Sequence, residues 1–343
     1  MHMRSAVLPH LGLLRFQGPD RLTFLQGQIS HDTRRLGEGR ALLAACANPQ
    51  GRVLAVLQLL PHESGVIAIL PRELVEPMAA HLGRYRLRAK VTIDPVGAEL
   101  ALAGVHEFEA LAAAGLAAGG PAAEGAGADA RHYHEIDGLG VARVSGDPRR
   151  AWVIGPPAEL AARGFPDDPA RRAEVERDWR LADVRAGLPQ VFAATRELFV
   201  PQMLNLDLLD GISFTKGCYT GQEIVTRTQH RGRIKRRMLR VALAAGDTTT
   251  SPAAGAATLP ATPAPGAHLR LADGRVGRIV DAQPGGSGYE ALAVVSLDAA
   301  EPEVETAPPA AAAGAGAAAG AAATPADDAS WRALEVLPLP YAV

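Results

Sequence analysis

The chain has 343 residues, and its 35 Lys and Arg nearly balance its 37 Asp and Glu, which argues against attraction of the whole molecule to nucleic acid or to anionic membranes. Two distant cysteines cannot form the disulfide framework of a small secreted domain, and no stretch reaches the roughly 20 apolar residues of a membrane-spanning helix. A soluble cytoplasmic protein with two or three compact units is therefore expected.

The first unit, residues 1–116, shows the periodicities of mixed helix and strand. In chain order they predict a helix at residues 19–29, a two-stranded hairpin formed by 53–59 and 66–70, a second helix at 74–82 and a further strand at 87–93. This order of elements is typical of an α+β, ferredoxin-like fold.

A second α+β unit is predicted over residues 132–237. Residues 117–131 before it are rich in Gly and Ala, which is typical of a linker. Within the unit, Asp168 can cap a long helix that begins at Pro169, and Gly187 can end it. We expect the two units to pack against each other.

The pattern changes to short strands separated by turns over residues 238–343, which is typical of a small antiparallel barrel. Two stretches, 244–267 and 299–330, interrupt the strands and are poor in large apolar residues. Such stretches bury too little apolar surface to offset chain entropy, so we expect loosely ordered insertions there.

The most informative stretch reads Lys216-Gly217-Cys218-Tyr219-Thr220-Gly221-Gln222-Glu223. The Thr-x-x-Glu spacing of Thr220 and Glu223 is that of a capping box and predicts a helix that begins at Gly221. Cys218 then lies just outside the positive end of this helix, with Lys216 nearby, and both features favour a reactive thiolate. The same pattern also fits a tight glycine turn that buries an inert cysteine.

This motif has companions along the chain, at residues 24–29, 50–53, 85–93, 186–189, 199–206, 211–214, 224–227 and 337–341. Together they resemble the YgfZ family, folate-binding proteins of iron–sulfur cluster assembly and maintenance. That family is a branch of the wider group containing GcvT, the aminomethyltransferase of glycine cleavage. The resemblance implies a GcvT-like α+β fold, in which two ferredoxin-like units form a folate-binding body and a C-terminal antiparallel β-barrel follows.

The resemblance also implies a function and its partners. Tetrahydrofolate or a derivative would be the cofactor, and iron–sulfur enzymes or cluster-assembly proteins, including tRNA-modifying enzymes, would be the partners. Cys218 would be the reactive group, with Lys216 lowering the pKa of its thiol. A typical cluster takes four cysteine ligands, so no stably bound metal is expected in a chain with two. Direct binding to nucleic acid or membrane is not expected either.

The cofactor-binding residues implied by the resemblance are Trp179, Arg185, Gln26, Gln28, Tyr219, Gln222 and Glu223. Trp179 stands at the spacing of a folate-lining tryptophan, and a core tryptophan on the long helix fits equally. Related folate enzymes carry a glutamate where Arg185 stands, and an arginine offers hydrogen-bond donors only. A second tryptophan of some family members is replaced by Leu11.

Two basic clusters could bind anions. The first is an alternating series that would form one stripe on a strand, Arg84, Arg86, Arg88 and Lys90. The second is a run without acids, Arg227, Arg231, Arg233, Lys235, Arg236, Arg237 and Arg240. The stripe could hold the glutamate tail of a folate or be a solvated face. The run fits a solvated helix and hinge, or a patch for an acidic partner or the folate tail.

Functions of other classes stay open. A folate-dependent one-carbon transferase or demethylase acting on a small amine would need an acid near the folate. GcvT has its essential aspartate in the segment corresponding to residues 48–57, and this segment has no acid here, so aminomethyl transfer is not expected. Asp183 or Glu197 could substitute in space. A non-catalytic adaptor that uses the basic run is a third hypothesis.

Overall fold

A computed structural model describes residues 5–107, 111, 116, 133–144, 147–231, 234–244, 262–286, 288–298 and 331–343. The strands are β1 (Ser5–Val7), β2 (Leu11–Gln17), β3 (Leu42–Ala47), β4 (Val53–His62), β5 (Gly65–Pro71), β6 (Thr92–Pro95), β7 (Ala101–Val105), β8 (Tyr133–Ile136), β9 (Leu139–Val144), β10 (Asp147–Gly155), β11 (Arg236–Leu243), β12 (His268–Arg270), β13 (Val276–Gly285), β14 (Gly288–Ser296) and β15 (Trp331–Leu337). The helices are α1 (Arg21–Gln26), α2 (Arg34–Gly37), α3 (Val75–Gly83), α4 (Pro157–Ala162), α5 (Pro169–Ala186) and α6 (Gln222–Arg231). Short 3₁₀ turns span Arg72–Leu74, Ala193–Thr195 and Pro201–Leu204.

The strands form three sheets. The first has the order β3-β4-β5-β2-β6 and the second β1-β7-β10-β9-β8, and all neighbours in both are antiparallel. The third closes on itself in the order β11-β14-β13-β12-β15, where only β12 and β15 pair in parallel. The mixed α and β fold with several antiparallel sheets agrees with the sequence-based expectation.

The prediction of ferredoxin-like units is not confirmed. Each of the first two sheets has five strands, whereas a ferredoxin-like unit has four. The first sheet gains two unpredicted strands, β2 and β3, and β3 is a run of Leu, Ala and Cys that is buried on both faces. The second sheet gains β1 and β7 from the first predicted unit, and Ser5 of β1 pairs with Val105 of β7. The second sheet thus combines strands from both predicted units.

The long helix of the second unit is α5, and it begins and ends as predicted. The Asp168 side chain accepts a hydrogen bond from the backbone N–H of Ala170 at 3.0 Å, and Pro169 is the first helical residue. Gly187 ends the helix in the left-handed conformation, with φ +68°, which glycine adopts at little cost.

Successive side chains of β10 point alternately into two hydrophobic cores. Ala151 and Val153 face one side, where Leu160 of α4 packs against the second sheet. Trp152 and Ile154 face the other side and join the main core with α5 and the first sheet. The residues of the third sheet are likewise divided between two cores. Its interior has its own core, while outward-facing residues such as Met238 of β11 belong to the main core.

The predicted strand over residues 87–93 is wrong in its first half. Only Thr92–Pro95 forms β6, and residues 84–91 form turns in which Leu87 has φ +44°. Local hydrogen bonds satisfy this backbone, for example from Tyr85 N to the Leu82 carbonyl at 3.0 Å. The basic residues at 84, 86, 88 and 90 therefore do not form one stripe on a strand.

The predicted linker 117–131, the insertion 299–330 and most of the insertion 244–267 lie outside the described residues. Within the part of the chain that the structure describes, no helix is long and apolar enough to cross a membrane.

Candidate thiol site and ligand cavity

Lys216 anchors the cysteine motif to the first unit. Its side chain is buried, and its Nζ donates hydrogen bonds to the carbonyl oxygens of Gln26, Ile29 and His31 at 2.7, 2.8 and 2.9 Å. The same ammonium lies 4.9 Å from the centroid of the Tyr219 ring. A lysine ammonium has three donors, so these carbonyls engage all of them. Lys216 therefore holds the turn after α1 against the cysteine motif.

Backbone hydrogen bonds extend this attachment along the loop. The Ser213 N–H donates to the Ser30 carbonyl at 2.9 Å, and the Thr220 N–H donates to the Gly27 carbonyl at 3.1 Å. The buried Ser30 hydroxyl donates to the Gly211 carbonyl at 2.6 Å. The loop that carries Cys218 is thus held at several points by residues far away in sequence.

Two glycines bring the start of α6 against the turn before β4. Gly51 and Gly221 have φ +70° and +82°, a conformation that side chains disfavour. A Cβ at Gly221 would lie 2.5 Å from the Asn48 carbonyl oxygen and 3.0 Å from Gly51 Cα. Glycine is required here both by conformation and by space. The predicted helix start is one residue early, because α6 begins at Gln222.

The two cysteines have opposite environments. Cys218 is exposed, whereas Cys46 is buried in β3. Burial raises the pKa of the Cys46 thiol to about 12, although the charge of Arg196 opposes this. The interpretation of Cys218 as an inert buried residue is therefore wrong, and Cys218 is the thiol available to reagents.

Thiol counting checks this difference. A chromogenic disulfide reagent at pH 8 is expected to label one thiol per folded chain, because only the thiolate reacts and Cys46 stays protonated and shielded. Both thiols should react in concentrated guanidinium chloride. Cys218→Ser should bring the count for the folded chain to zero. Two fast-reacting thiols in the folded chain would contradict the structure.

A cavity of about 510 Å³ opens beside the motif, lined by Leu22, Thr23, Gln26, Thr33, Arg34, Thr215 and Gly217. The Gln26 Oε1 accepts a hydrogen bond from the Thr33 N–H at 2.8 Å. Arg34 pairs with Asp32, and this hydrogen bond lowers the pKa of Asp32 to about 2. The polar groups on this side of the cavity thus already have partners in the protein.

A larger cavity of about 690 Å³ lies where α5 meets the first and third sheets. It is lined by Pro9, His10, Pro71, Arg72, Glu73, Glu176, Arg180, Phe192, Ala193, Ala194 and Pro265. The guanidinium carbon of Arg180 lies 5.1 Å from the centroid of the Phe192 ring. Arg180 also pairs with buried Asp281 at 2.6 Å. The Arg180 guanidinium therefore covers one face of the Phe192 ring in the lining of this cavity.

Trp179 is fully buried on α5 rather than in either cavity lining. Its ring centroid lies 4.7 Å from that of Trp152, and the guanidinium carbon of Arg150 lies 4.6 Å from it. These contacts are those of a core tryptophan, the second of the two interpretations that the sequence allowed for Trp179. Glu176, one turn before Trp179, and Arg180, the next residue after it, are the residues of α5 that reach the larger cavity.

Arg185 is bound to a buried acid of the third sheet. Its guanidinium contacts Glu290 of β14 at 2.6 Å, and Arg240 contacts the same carboxylate at 2.5 Å. Burial acts to raise the pKa of Glu290, but the hydrogen bonds and charges of the two arginines outweigh it and lower the pKa. Arg185 thus fastens α5 to the third sheet.

Asp183 and Glu197, the two acids that could substitute for the essential aspartate of GcvT, also have partners within the protein. Asp183 is buried and pairs with Arg150 at 2.8 Å, and burial raises its pKa to about 6 although Arg150 opposes this. Glu197 accepts a hydrogen bond from the Asn48 amide at 3.3 Å. Neither residue lines the two cavities.

Part of the basic run is neutralised. Arg237 forms two hydrogen bonds with the carboxylate of Asp207, at 2.6 and 2.8 Å, and both side chains are largely buried. Arg240 is bound to Glu290. Residues 232 and 233 lie outside the described residues. The run is therefore not one continuous free cationic surface.

Comparison with known proteins relates the whole arrangement to a family. The chain is 34% identical over 227 residues to the tRNA-modifying protein YgfZ of Cronobacter sakazakii, and 32% identical over 248 residues to that of Yersinia pestis strain Pestoides F. The second match covers 71% of each chain. The chain belongs to the YgfZ family. The first match covers 65% of this chain and 66% of the Cronobacter protein, slightly under two thirds of its length. No model of a protein family matches the chain.

The fold of this YgfZ family member resembles that of a solved enzyme. The glycine cleavage system aminomethyltransferase T from Bartonella henselae superposes with a TM-score of 0.61, over 85% of this chain and 78% of that one. The two sequences are only 16% identical, so the likeness concerns the fold alone.

The motifs that suggested the YgfZ family meet in space only in part. Gln26, Gln28, Tyr219, Gln222 and Glu223 lie on the cysteine motif and the α1 turn that contacts it. Trp179 and Arg185 lie apart from them on α5. Among the described residues, no group of three or more His, Cys, Asp or Glu side chains is arranged to hold a metal ion. The predicted cofactor-binding set is thus divided between two places.

Three residues of the larger cavity had no sequence signal. His10, Phe192 and Arg180 come from three different elements or loops and belong to no short motif. The only clue was the position of Arg180, one residue after Trp179 on a predicted helix. Their proximity depends on the packing of α5 against both sheets.

Proposed function

We propose that this member of the YgfZ family is a tetrahydrofolate-binding protein that supports assembly or repair of iron–sulfur enzymes through Cys218. Its clients would include enzymes of tRNA modification, as the name of its relatives, tRNA-modifying protein YgfZ, suggests. The observation that carries the proposal is the exposed Cys218 on a loop anchored by Lys216. An exposed thiol on a well-held loop suits exchange of a ligand with a partner.

The chemistry proposed for Cys218 is that of a single thiolate ligand. A cluster typically takes four cysteine ligands, and the other cysteine of this chain is buried. The remaining ligands would come from the client or the assembly partner, so the cluster is cargo that Cys218 helps to hold during transfer or repair.

Complementation tests the role of Cys218. In a strain that lacks its own YgfZ-type protein, we expect Cys218→Ser to abolish rescue of iron–sulfur enzyme activity. The thermal midpoint should stay within a few degrees, because the side chain is exposed. Cys46→Ala is the matched control, since it removes the other thiol and should keep rescue. Full rescue by Cys218→Ser would refute the role.

For the folate, we propose the larger cavity as the site. Its volume of about 690 Å³ lies within the range of about 300–1,000 Å³ that small-molecule sites occupy. The Arg180 guanidinium lies over the Phe192 ring, and the flat pterin would pack against this pair. The exposed Arg72 at the rim could bind the carboxylates of the glutamate tail.

Titration with tetrahydrofolate by calorimetry tests this location. Trp179→Ala is unsuitable, because truncating a buried tryptophan costs about 3–5 kcal/mol of stability. Filling the cavity with Ala194→Trp is expected to abolish binding. Thr23→Trp, in the smaller cavity, and Ala161→Trp, on exposed α4, should leave it intact. Loss of binding with Thr23→Trp alone would move the site to the smaller cavity.

A further inference from the structure

Leu87 is an exposed leucine in a strained backbone conformation. With 89% of its surface accessible, it is the most exposed large apolar side chain among the described residues. Its φ of +44° lies in the left-handed region, which residues with a Cβ disfavour. The other described non-glycine residues with a positive φ are Asp, Glu or Asn. Neither burial nor backbone preference accounts for a leucine here, and strained backbone clusters at functional sites.

Four cationic side chains lie in the same loop, residues 84–90, which we call the basic loop. They are Arg84, Arg86, Arg88 and Lys90, and all four are exposed. Among the described residues, no carboxylate forms an ion pair with any of them. None of the four lines either cavity. Their charges therefore face solvent or a partner rather than a ligand in these cavities.

Local contacts fix the shape of the basic loop. The Ala89 N–H donates a hydrogen bond to the Arg86 carbonyl at 2.8 Å. The centroid of the Tyr85 ring lies 5.1 Å from that of the His81 ring. The loop therefore presents Leu87 in a preformed shape, so binding of a partner would cost little conformational entropy of the loop.

The basic loop is attached to the start of α1. The Lys90 N–H donates to the Asp20 carboxylate at 2.7 Å, and the Asp20 N–H donates to the Lys90 carbonyl at 3.3 Å. Asp20 immediately precedes α1, whose six residues span about 9 Å. At the other end of α1, the Gln26 carbonyl accepts a hydrogen bond from Lys216 of the cysteine motif. The basic loop and the cysteine motif therefore lie at the two ends of one short helix.

The smaller cavity lies along α1 and reaches the cysteine motif. Its lining includes Leu22 and Thr23 of α1 and Gly217, the neighbour of Cys218. A standard protein interface covers about 800 Å² on each partner, which is about 30 Å across. An interface of this width that includes the basic loop can extend to the exposed thiol of Cys218.

We propose that the basic loop is the docking site for the iron–sulfur client enzyme, whose contact surface has carboxylates around an apolar pocket for Leu87. This inference rests on the proposed function, and it supplies the contact that brings the cluster of the client to Cys218. The four cations set the sign of the partner surface, because they attract carboxylates. Leu87 sets the need for a pocket, because a leucine side chain gains free energy on leaving water.

A protein partner fits the basic loop better than nucleic acid or a membrane does. Leu87, its most exposed apolar side chain, has no ring on which a base can stack. One leucine also buries too little apolar surface to hold a protein on a membrane. In a protein interface, by contrast, a few anchor residues carry most of the binding free energy.

The probe that tests the proposal is the purified client enzyme whose activity is scored in the rescue assay. In a binding titration with the full chain, Leu87→Ser is expected to weaken binding about ten-fold or more. The charge reversal Arg86→Glu with Arg88→Glu should have an effect of similar size. The conservative variants Leu87→Met and Arg86→Lys with Arg88→Lys should stay within about three-fold of wild type, because they keep the apolar anchor and the charges.

Matched changes elsewhere on the surface are the controls. Leu334 of β15 is 62% exposed, and Leu334→Ser should leave the affinity for the client unchanged. Arg171 and Arg332 are exposed, and reversing both charges with Arg171→Glu and Arg332→Glu should leave it unchanged as well. Equal weakening by these controls would show a general effect of charge or surface hydrophobicity and would overturn the docking site.

Leu87→Gly separates a docking role from a structural one. Glycine adopts a positive φ at little cost, so this variant should raise the thermal midpoint by about 2 °C. It also removes the apolar anchor, so it should weaken client binding about as much as Leu87→Ser. A lower midpoint together with weaker binding would show a structural role for the leucine and overturn the inference.

The other outcomes distinguish this inference from the proposed function. Unchanged client binding in both Leu87→Ser and the charge reversal would overturn the docking site alone. Binding of bulk tRNA, or of phosphatidylcholine vesicles that contain phosphatidylglycerol, would replace the client as the partner if it depended on Leu87. Cys218→Ser should bind the client like wild type, because the thiol acts after docking. Full rescue by Cys218→Ser, in contrast, would refute the proposed function whatever the titration shows.

Discussion

Replacing Lys216 by methionine is expected to lower the free energy of unfolding by roughly 3–6 kcal/mol. The substitution removes the donors to the carbonyls of Gln26, Ile29 and His31. A buried acceptor left without a partner costs about 1–3 kcal/mol, and methionine fills a similar volume without supplying a donor. The effect exceeds that of an ordinary surface lysine because three acceptors depend on one side chain.

Urea unfolding measures this loss, with Lys90→Met as the matched control. Lys90 is exposed, so the same chemical change there should alter stability by no more than about 0.5 kcal/mol. Hydrogen exchange adds a local readout. The Thr220 amide, bonded to the Gly27 carbonyl, should exchange faster in Lys216→Met. A stability loss below about 1 kcal/mol would mean that water replaces the ammonium, contrary to its burial.

The pH dependence of the wild type has a definite sign. Burial lowers the pKa of Lys216 from 10.5 to about 8, with the charge of Asp32 opposing. Between these two values the unfolded chain binds more protons than the folded chain, so the contribution of Lys216 to stability rises with pH in that window. Lys216→Met lacks this component, and its stability should rise less than that of the wild type between pH 8 and 10.

Local signals predicted the parts of the fold that depend on neighbours in sequence. The Asp168 cap and the Gly187 stop of α5 are of this kind, because each acts within a turn of the helix. The strands β1, β2, β3 and β7 were not predicted. β3 is buried on both faces and shows no alternation, and β1 finds its partner about a hundred residues later. Pairing over such a distance has no local signature.

In the candidate site, too, local features were predicted from the sequence and long-range contacts were not. The motif around Cys218 was visible, but the actual contacts of Lys216 were not, since the carbonyls it binds lie more than 180 residues earlier. Backbone carbonyls carry no residue-type signal. Lys216 was therefore predicted to act on the nearest thiol. That role stays a prediction, and the contacts present are those of an anchor.

Gly221→Ala is expected to have the second large effect, a loss of roughly 2–5 kcal/mol. One part is conformational, because φ +82° costs a residue with a Cβ about 1–2 kcal/mol. The other part is steric, because the new Cβ would lie 2.5 Å from the Asn48 carbonyl oxygen. Relief would require α6 to move away from the turn before β4.

Two control glycines separate the conformational cost from the steric cost. Gly138 has φ +76° with no atom within 4 Å of a Cβ, so Gly138→Ala should show the conformational cost alone, about 1 kcal/mol. Gly217 has open space and no positive φ, so Gly217→Ala should change stability by less than about 0.5 kcal/mol. Equal losses for Gly221→Ala and Gly138→Ala would show that the close packing at α6 does not exist in solution.

A double variant tests whether the two facing glycines form one contact. A Cβ at Gly51 would lie 2.8 Å from the Cβ of Ile224 on α6, so Gly51→Ala pushes the same helix that Gly221→Ala pushes. One outward shift of α6 would relieve both clashes. The double variant should therefore lose less stability than the sum of the single losses, whereas additive losses would mean that the two glycines act independently.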